Sequence, residues 1–418
     1  MKFKETKIGT IPTSWEVKPI KEITEIVTDY VANGSFASLA ENVTYKDEED
    51  VAVLIRLVDY NNDFQGKFVF IDEHAYEFLG KSKLYGDEII ISNVGANVGT
   101  VFRCPKLKYK MSLAPNSIMV KFKGNDDFYF HWLRGYNGQQ MLKSIVTGSA
   151  QPKFNKTNFK EMLVPVPPIK EQNKIATILN TIDEKISINK KINNNLEQQA
   201  QAIFKSWFID FEPFDKTKPS DWTIGTIDDL AKDVVCGKTP STKKVEYYGS
   251  DIPFVTIPDM HGKIYTVTTE RYLSKLGASS QAKKSLPKNS VCVSCIGTAG
   301  LVTLVAEESQ TNQQINSIIP KDGFSPYYIY LLMQTLSDTI NKLGQSGSTI
   351  VNLNKSQFGK IQVNIPALST MIKFDETISP IFEKILQSQK ENLNLTSLRD
   401  TLLPKLMSGE LDVSDIEI

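Results

Sequence analysis

The feature that most constrains this chain is an uninterrupted helical pattern in its middle, between Ile169 and Phe208. Steps of four and three residues through this stretch meet an apolar residue at eight of ten positions, and the residues between them are mostly Lys, Glu, Asn and Gln. A 3.5-residue period is typical of a helix that pairs with another helix along its length. Since no Gly or Pro interrupts it, the helix would be about 50–60 Å long, which is too long for an unpartnered globular helix.

A second stretch near the end of the chain repeats this pattern with an offset of 199 residues. A shared offset over ten positions indicates an internal repeat rather than two unrelated surface helices. The central layers are polar in both copies, with Asn189 and Asn193 in the first and Ser388 and Asn392 in the second. Such layers fix the register of a helix pair at some cost in stability. The predicted seam of the pair contains Ile175, Leu179, Ile182, Ile186, Asn189, Asn193, Leu196, Ile203, Phe374, Ile378, Ile381, Ile385, Asn392, Leu395, Leu402 and Leu406.

Length and composition are those of a globular protein with more than one core. The 418 residues allow two or three domains. No run of 18 apolar residues predicts a membrane span, the first residues lack a secretory pattern, and the four cysteines are too scattered for a disulfide framework. These features predict a cytoplasmic protein. The balance of 48 basic and 48 acidic residues argues weakly against a purely electrostatic nucleic-acid binder but permits a local basic patch.

An offset of about 200 residues also relates the regions that precede the two helices. Each region contains apolar, β-rich runs that stop at Gly-containing turns, then an aromatic helical stretch, and finally a strand and a proline before the long helix. Mixed strands and helices indicate α/β or α+β domains. The matched segments are 12–15 with 219–222, 55–59 with 255–259, 87–95 with 289–297, 116–118 with 316–318, and 148–149 with 347–348.

We therefore predict two mixed α/β (α+β) domains joined by two long antiparallel coiled-coil helices. An antiparallel arrangement would relate the two halves by a pseudo-twofold axis. The expected boundaries are a first globular domain at 1–168, a first long helix at 169–211, a second globular domain at 212–366, and a second long helix with an acidic tail at 367–418.

The sequence shows no catalytic constellation and no metal-ligand spacing. It contains neither a GxxxxGK[ST] nor an HExxH motif. The Cys292-x-x-Cys295 pair lacks a second pair to complete a zinc site, and its counterparts in the first half are Ile90 and Asn93. We expect neither catalytic residues nor a bound metal. The histidines, which are far apart in the sequence, are His74, His131 and His261.

The loops of both globular domains are rich in Lys, Asn, Gln, Ser and Gly. Such side chains suit contacts with DNA phosphates and hydrogen bonds to base edges, although each one alone is also an ordinary solvated residue. The candidate DNA-binding residues are Asn61, Lys67, Asn97, Arg103, Gln151, Lys153, Lys156, Lys238, Thr239, Ser241, Lys243, Lys244 and Lys355.

Five blocks are more specific than the repeat alone. They are residues 236–254 (CGKTPSTKKVEYYGSDIPF), 313–317 (QQINS), 167–176 (PPIKEQNKIA), 208–214 (FIDFEPF) and 398–411 (LRDTLLPKLMSGEL). On these blocks the chain resembles the specificity subunits of type I restriction–modification enzymes over essentially its whole length. It departs from the pattern at residues 366–371, where the Pro-Pro…Glu-Gln sequence is lost. The first domain also lacks the Gly-Lys-Thr-Pro-Ser block, so the two domains should recognise unrelated sequences.

The resemblance implies two target-recognition domains, each of which recognises one half of a bipartite site in double-stranded DNA. The helices would set the gap between the half-sites and dock two modification (methyltransferase) subunits, which bring S-adenosylmethionine and methylate adenine. Restriction (translocase/nuclease) subunits, with ATP and Mg²⁺, are an optional further partner. The chain itself would be a non-catalytic subunit with no cofactor of its own and no membrane contact.

Two other function classes stay open on the residues alone. A non-catalytic coiled-coil scaffold with peptide- or sugar-binding end domains would show the same repeat, and salt-dependent, sequence-specific duplex binding would distinguish it from a DNA-recognition subunit. A lone DNA-binding repressor is the other class, and the absence of a helix-turn-helix signal counts against it.

Overall fold

A computed structural model describes residues 2–345 and 351–416. The predicted loop residues Gly347 and Ser348 and the tail residue Glu417 lie outside this described part. Among the described residues, no helix combines the length and apolarity that a membrane crossing requires.

Short strands and helices alternate in both halves of the chain, and each half ends in one 40-residue helix. The strands are β1 (Phe3–Thr6), β2 (Gly9–Pro12), β3 (Glu16–Pro19), β4 (Thr24–Asp29), β5 (Ala52–Ile55), β6 (Val69–Ile71), β7 (Lys83–Leu84), β8 (Ile89–Ser92), β9 (Val101–Arg103), β10 (Lys110–Leu113), β11 (Ser117–Phe122), β12 (Leu163–Val166), β13 (Thr223–Thr226), β14 (Ala231–Cys236), β15 (Tyr248–Gly249), β16 (Ile252–Val255), β17 (Tyr265–Thr266), β18 (Tyr272–Leu273), β19 (Val291–Ser294), β20 (Val302–Val305), β21 (Gln310–Thr311), β22 (Ile315–Pro320) and β23 (Gln362–Ile365). The α-helices are α1 (Ile20–Ile23), α2 (Phe36–Asn42), α3 (Leu57–Asn61), α4 (Glu73–Phe78), α5 (Asp126–Arg134), α6 (Tyr136–Ser144), α7 (Lys156–Glu161), α8 (Ile169–Phe208), α9 (Ile227–Leu230), α10 (Ile257–Met260), α11 (Lys275–Ser279), α12 (Pro326–Thr335), α13 (Ser337–Gly344), α14 (Lys355–Gly359) and α15 (Leu368–Met407). Short 3₁₀ helices cover Tyr30–Asn33, Gly80–Ser82, Glu212–Phe214, Val245–Tyr247 and Ala282–Lys284.

The chain forms two compact units. Unit 1 contains Met1–Glu184 and Leu395–Ile418, and unit 2 contains Lys185–Asn394. Each unit therefore combines one globular region with part of α8 and part of α15. The elements of the two globular regions follow the same order, which confirms the mixed α/β class and the internal repeat.

Both units are built on the same sheet framework. In unit 1 the order β4-β11-β8-β9 forms one antiparallel sheet, and β5 pairs in parallel with β10 in a second sheet. In unit 2 the order β14-β22-β19-β20 repeats the first sheet, and the parallel pair β16–β21 repeats the second. The strand before each long helix also has an equivalent antiparallel partner in the two units: β12 pairs with β3, and β23 pairs with β13.

Matching polar residues fold the matched segments locally in the same way. The Asp59 carboxylate accepts a hydrogen bond from the Arg56 backbone N–H at 2.9 Å, and Asp259 accepts one from the Thr256 N–H at 2.8 Å. Both carboxylates are buried and close the first turn of a short helix after a buried strand. This equivalence confirms the match between segments 55–59 and 255–259.

The match between the two Asn-Ser-Ile tripeptides was wrong by two residues. Ser117 pairs with Ser92 in unit 1, whereas Ile315 pairs with the equivalent Ser294 in unit 2. Ile315 is therefore the counterpart of Ser117, and the tripeptides are displaced along the strand. A displacement of two residues keeps every side chain on the same face of the sheet, so the hydrophobic pattern does not reveal it.

In unit 1 the beginning of α8 packs against the end of α15 in antiparallel orientation. The Arg399 guanidinium donates to the Asp183 carboxylate at 2.9 Å. Further towards the start of α8, Lys174 donates to the carbonyl of Ser414, beyond the end of α15, at 2.6 Å. Ascending numbers in one segment thus meet descending numbers in the other.

In unit 2 the rest of α8 packs against the beginning of α15, also antiparallel. The Asn189 amide donates to Asn392 Oδ1 at 2.9 Å, and the rings of Phe208 and Phe374 lie 4.8 Å apart. The two findings together confirm the prediction of an antiparallel helix pair. Asn189 and Asn392 of the polar layer are therefore hydrogen-bonded across the pair, as a register-fixing contact requires, whereas the buried Asn193 Oδ1 has no hydrogen-bond partner among the described residues.

Burial on the long helices extends beyond the predicted seam. Three residues outside the seam are also buried: Phe204, Phe382 and Leu386. They are buried because the parts of α8 and α15 that belong to unit 2 also pack on the globular region of that unit. The first helix was expected to reach residue 211 but ends at Phe208, and Phe211 adopts a left-handed backbone with φ 55°. The buried seam residues are Ile175, Leu179, Ile182, Ile186, Asn189, Asn193, Phe374, Ile378, Ile385 and Leu406, and the half-buried ones are Leu196, Ile203, Ile381, Asn392, Leu395 and Leu402.

Candidate nucleic-acid interface

In unit 2 the segment after β14 lies directly against the turn between β21 and β22. The Gly237 N–H donates to the Ile315 carbonyl at 3.1 Å, and the Lys238 N–H donates to the Thr311 carbonyl at 2.9 Å. A Cβ on Gly237 would lie 2.1 Å from the Asn312 carbonyl oxygen, so this close approach requires glycine. The Gly-Lys-Thr-Pro-Ser block thus begins at the edge of a sheet.

A polar network holds this segment in place. The Gln281 side-chain amide donates to the Lys238 carbonyl at 2.9 Å and to Gln310 Oε1 at 2.7 Å. The Thr239 hydroxyl donates to Gln313 Oε1, also at 2.7 Å. Gln313 is exposed and was not among the predicted site residues. Its block, QQINS, was noticed only for its family resemblance, and a hydrogen bond over 74 residues leaves no local sequence signal.

The block that follows carries exposed polar and basic side chains. Lys238, Ser241 and Lys243 are exposed. Lys244 is exposed as well, and its ammonium group lies 3.0 Å from the Tyr247 hydroxyl and 4.8 Å from the ring centroid. The hydrogen bond with Tyr247 raises the pKa of Lys244 from its ordinary value. The surface therefore offers positive charge that stays ionised at neutral pH and suits phosphate contacts.

In unit 1 two loops come together that are far apart in sequence. The Gly95 N–H donates to the Pro152 carbonyl at 2.9 Å, so the turn after β8 lies beside the loop that precedes α7. Asn97 on the first loop and Gln151 and Lys153 on the second are all exposed. The structure thus brings three of the predicted residues into one neighbourhood.

The turn between β10 and β11 in unit 1 corresponds to the turn between β21 and β22 in unit 2. The Ala114 N–H donates to the Ile55 carbonyl at 3.2 Å, and the Asn312 N–H donates to the Val255 carbonyl at 3.2 Å. Ala114 and Asn312 are therefore equivalent residues. The next position in unit 1 is Pro115, which carries no polar side-chain group.

The side chains around this turn in unit 1 are mostly apolar. Pro115 lines a cleft of about 580 Å³ together with Val31, Phe36, Tyr45 and Val94. The Phe36 side chain is 81% exposed at this cleft. Large exposed apolar surfaces are uncommon on soluble proteins and often mark interaction sites. The equivalent turn of unit 2 instead presents the polar Gln313.

The other predicted residues of unit 1 differ in how free their side chains are. Asn61 and Lys67 are exposed. Arg103 forms an ion pair with Asp127 and donates to the Asp87 carbonyl at 2.7 Å. Burial lowers the pKa of Arg103 from its ordinary value, although an arginine stays charged at neutral pH. Arg103 would have to exchange these internal partners for a phosphate.

Two of the predicted lysines have similar positions in the two units. Lys156 begins α7 and pairs with Asp29 of the neighbouring strand at 2.9 Å, and Lys355 begins α14 and pairs with Asp233 at 3.3 Å. The second pair is about half exposed on both sides. Exposed pairs of this kind contribute little to stability, so Lys355 is the freer of the two lysines.

The two cysteines of the Cys292-x-x-Cys295 pair lie in the interior of unit 2. Cys292 and Cys295 are buried in unit 2, and burial raises the pKa of both thiols to about 12. Such thiols are protonated and unreactive at neutral pH. Within the described part of the chain, no group of three or more His, Cys, Asp and Glu residues is placed to hold a metal ion.

Comparison with known proteins identifies the family. The family model of the type I restriction modification DNA specificity domain matches residues 12–198 and 219–396. The chain is 34% identical to the type I restriction enzyme HindI specificity subunit of Haemophilus influenzae, over 72% of this chain and 80% of that protein. It is 27% identical to the MjaIX specificity subunit of Methanocaldococcus jannaschii, over 99% and 97% of the two chains.

A solved structure agrees on the fold. The type I restriction–modification S subunit from M. genitalium aligns with a TM-score of 0.62 and 15% identity over 95% of this chain and 96% of that one. These findings confirm the resemblance drawn from the sequence blocks. The chain therefore belongs to the specificity subunits of type I restriction–modification systems, the non-catalytic DNA-recognition subunits of these enzymes.

Proposed function

We propose that the two globular regions, residues 1–168 and 212–366, are target-recognition domains that each recognise one half of a bipartite DNA site. The observation that carries this proposal is that two turns are equivalent: the turn between β10 and β11 in unit 1 and the turn between β21 and β22 in unit 2. One framework presents Pro115 beside an apolar cleft in unit 1 and Gln313 beside a basic segment in unit 2. Two domains that share a framework but expose different side chains suit two different half-sites.

The exposed candidates divide by chemistry. The exposed cations suit phosphates and would make affinity salt-dependent; they are Lys67, Lys153, Lys238, Lys243, Lys244 and Lys355. The exposed amides and hydroxyls suit base edges and would carry discrimination; they are Asn61, Asn97, Gln151 and Ser241.

Domain replacement tests the proposal. Residues 212–366 are replaced by the equivalent domain of a relative with a different known site, and the methylated sequence is mapped in cells that contain the modification subunits. We expect one half-site to change, while the other half-site and the gap stay as they were. A change in both half-sites would show that the two domains do not recognise DNA independently.

The long helices are proposed to dock two modification subunits. On the part that belongs to unit 2, Ile188, Ile192 and Leu393 are exposed, although helices in water normally bury such side chains. These partners would carry S-adenosylmethionine for adenine methylation, and restriction subunits, where present, would carry ATP and Mg²⁺. The specificity subunit itself contributes no cofactor.

The helices are also proposed to set the gap between the half-sites. A heptad inserted at matched seam positions of both helices keeps the apolar seam in register and lengthens them by about 10 Å. At about 3.4 Å per base pair, the gap in the methylated site should grow by about three base pairs with unchanged half-sites. A single inserted residue should instead rotate the seam and destabilise the pair. An unaltered gap with full activity in the heptad variant would rule the helices out as the ruler.

A further inference from the structure

We infer that Gln313 is a specificity-determining residue of unit 2, selecting an adenine in its half-site, and that Thr239 positions its amide. This inference rests on the proposed DNA-recognition function of unit 2. It adds a residue, a base and an orienting contact to that function.

Gln313 is the outward-facing member of a three-residue polar turn. Its neighbours face each other, because the Asn312 side chain donates to Gln314 Oε1 at 3.0 Å and its own Oδ1 accepts from the Gln314 N–H at 3.0 Å. Asn312 is only 7% exposed, whereas Gln313 is exposed. The turn thus uses two amides to build itself and presents the third to the outside.

An exposed glutamine usually samples many rotamers, but Gln313 is held at its tip. The Thr239 hydroxyl donates to Oε1 at 2.7 Å. Among the residues that the structure describes, no other side-chain hydrogen bond to this amide is present, so both hydrogens of Nε2 and one lone pair of Oε1 remain for a ligand. A donor and an acceptor side by side, with restricted side-chain freedom, are preorganised for a bidentate contact.

That pair of groups matches adenine in the major groove. Adenine presents the N7 acceptor next to the N6 donor, and Gln and Asn are the side chains that pair with both. Guanine presents two acceptors, N7 and O6, so one of its contacts with the amide would be repulsive. The exposed Lys238 and Lys243 lie on the adjoining segment and can contact the phosphates that flank a base at this turn.

The equivalent turn of unit 1 lacks this group. Pro115 occupies the position of Gln313, and the apolar cleft occupies the space beside it. At this position of the turn, an amide contact to adenine is therefore expected in unit 2 alone; the exposed Asn116, which follows Pro115, is the counterpart of Gln314 and not of Gln313.

The experiment uses the full chain assembled with its modification subunits, after the methylated site has been mapped. Binding constants are measured for duplexes in which each base pair of both half-sites is substituted in turn. The variants are Gln313→Ala, Gln313→Glu, Thr239→Val and Thr239→Ser, with Gln362→Ala as a matched control, an exposed glutamine on β23 of the same unit. Melting temperatures verify that each variant is folded.

Gln313→Ala should lose about 5- to 100-fold of discrimination at one A·T pair of the unit 2 half-site, with no change at other pairs and no change in salt dependence. Gln313→Glu should shift preference at that pair towards cytosine, because a carboxylate accepts from N4. Thr239→Val should lose part of the discrimination at the same pair, and Thr239→Ser should retain it.

Wild-type discrimination at every pair in Gln313→Ala, or an equal loss of affinity for all duplexes, would overturn the assignment. Wild-type discrimination in Thr239→Val would overturn the positioning role. The proposed function has its own test: if domain replacement switches the half-site while Gln313→Ala changes nothing, only this inference fails. If domain replacement leaves the half-site unchanged, the proposed function fails first.

Discussion

The two units keep one framework and vary what it presents. The sheets β4-β11-β8-β9 and β14-β22-β19-β20 have the same strand order, and the turns that follow β10 and β21 make the same backbone hydrogen bond. Yet unit 1 places Pro115 and an apolar cleft at this turn, and unit 2 places Gln313 and basic residues. Backbone pairing and buried strands fix the framework, so the outward-facing residue of the turn can differ between the units.

The units also differ in how the long helices attach to the globular regions. In unit 2, Phe374 lies within about 6.4 Å of the rings of Phe204, Phe208 and Tyr328. At the equivalent seam position unit 1 has Ile175, which belongs to a core that also contains Trp15 and Phe128. The equivalent seam position is therefore aromatic in unit 2 and aliphatic in unit 1, although both cores contain several aromatic rings.

The largest expected effect separates these two cores. Phe374→Ala should destabilise unit 2 by about 3–5 kcal/mol, because it removes a fully buried ring from the cluster. Ile175→Val, at the equivalent position, should cost unit 1 about 0.5–1.5 kcal/mol. Hydrogen exchange in the intact chain measures both. Equal loss of protection throughout the chain in Phe374→Ala would mean that the two units unfold as one.

The next effect concerns charge in unit 2. Lys243→Ala with Lys244→Ala should reduce the slope of log binding constant against log salt by about two, since two phosphate contacts are lost. The matched control is Lys232→Ala with Lys321→Ala, two exposed lysines of the same unit at the opposite end of the β14–β22 pair. An unchanged slope in the first variant would remove this segment from the interface.

A smaller effect is expected from the amides of unit 1. Asn97→Ala or Gln151→Ala should change discrimination at a base pair of the unit 1 half-site by about 1–3 kcal/mol and leave the salt slope as it is. Asn137, exposed on α6, supplies the control substitution to alanine. If discrimination instead changes in the half-site of unit 2, the assignment of half-sites to units is reversed.

The long helices and the repeat could be predicted because they leave periodic signals. A 3.5-residue apolar pattern and a constant offset survive divergence, since every seam residue is constrained by burial along the pair. The match between segments 55–59 and 255–259 could also be predicted, because the capping Asp59 and Asp259 each act within three residues of their own position. Local and periodic constraints are therefore readable from one sequence.

The remaining features depend on contacts between distant residues. Arg103 is predicted to be a DNA-binding residue, and its ion pair with Asp127 is not visible in the sequence because it depends on how α5 packs on β9. Gln313 is not predicted as a site residue, because its hydrogen-bond partner Thr239 lies 74 residues away in the sequence. Burial of Phe204 was missed because a seam pattern describes one face of a helix, and the globular region covers another. A single sequence does not show which distant residues meet in the fold.

The smallest expected effect is a difference between the two units in how the free energy of unfolding depends on pH. In unit 1, His131 is buried, and its Nε2 lies 2.8 Å from the side-chain Oδ1 of Asn180. The counterpart of His131 in unit 2 is the apolar Leu331, because each residue lies six positions after the helix cap of its unit, Asn125 or Ser325. Burial lowers the pKa of His131 below its ordinary 6.5, although the Asn180 hydrogen bond raises it.

An unfolded chain therefore takes up a proton at this histidine at a higher pH than the folded unit does. The free energy of unfolding of unit 1 should be unaffected well above pH 6.5, fall as the pH drops through 6.5, and level off below the folded-state pKa. Each unit of pKa depression corresponds to about 1.4 kcal/mol. The charged neighbours Asp127, Arg134 and Asp183 persist in His131→Leu, so this variant removes the histidine contribution alone. Hydrogen exchange at pH 7.5 and 5.5, corrected for intrinsic rates, should show acid loss in unit 1 beyond that in unit 2, and His131→Leu should abolish the difference. An equal difference in the variant would assign the acid sensitivity to the carboxylates instead.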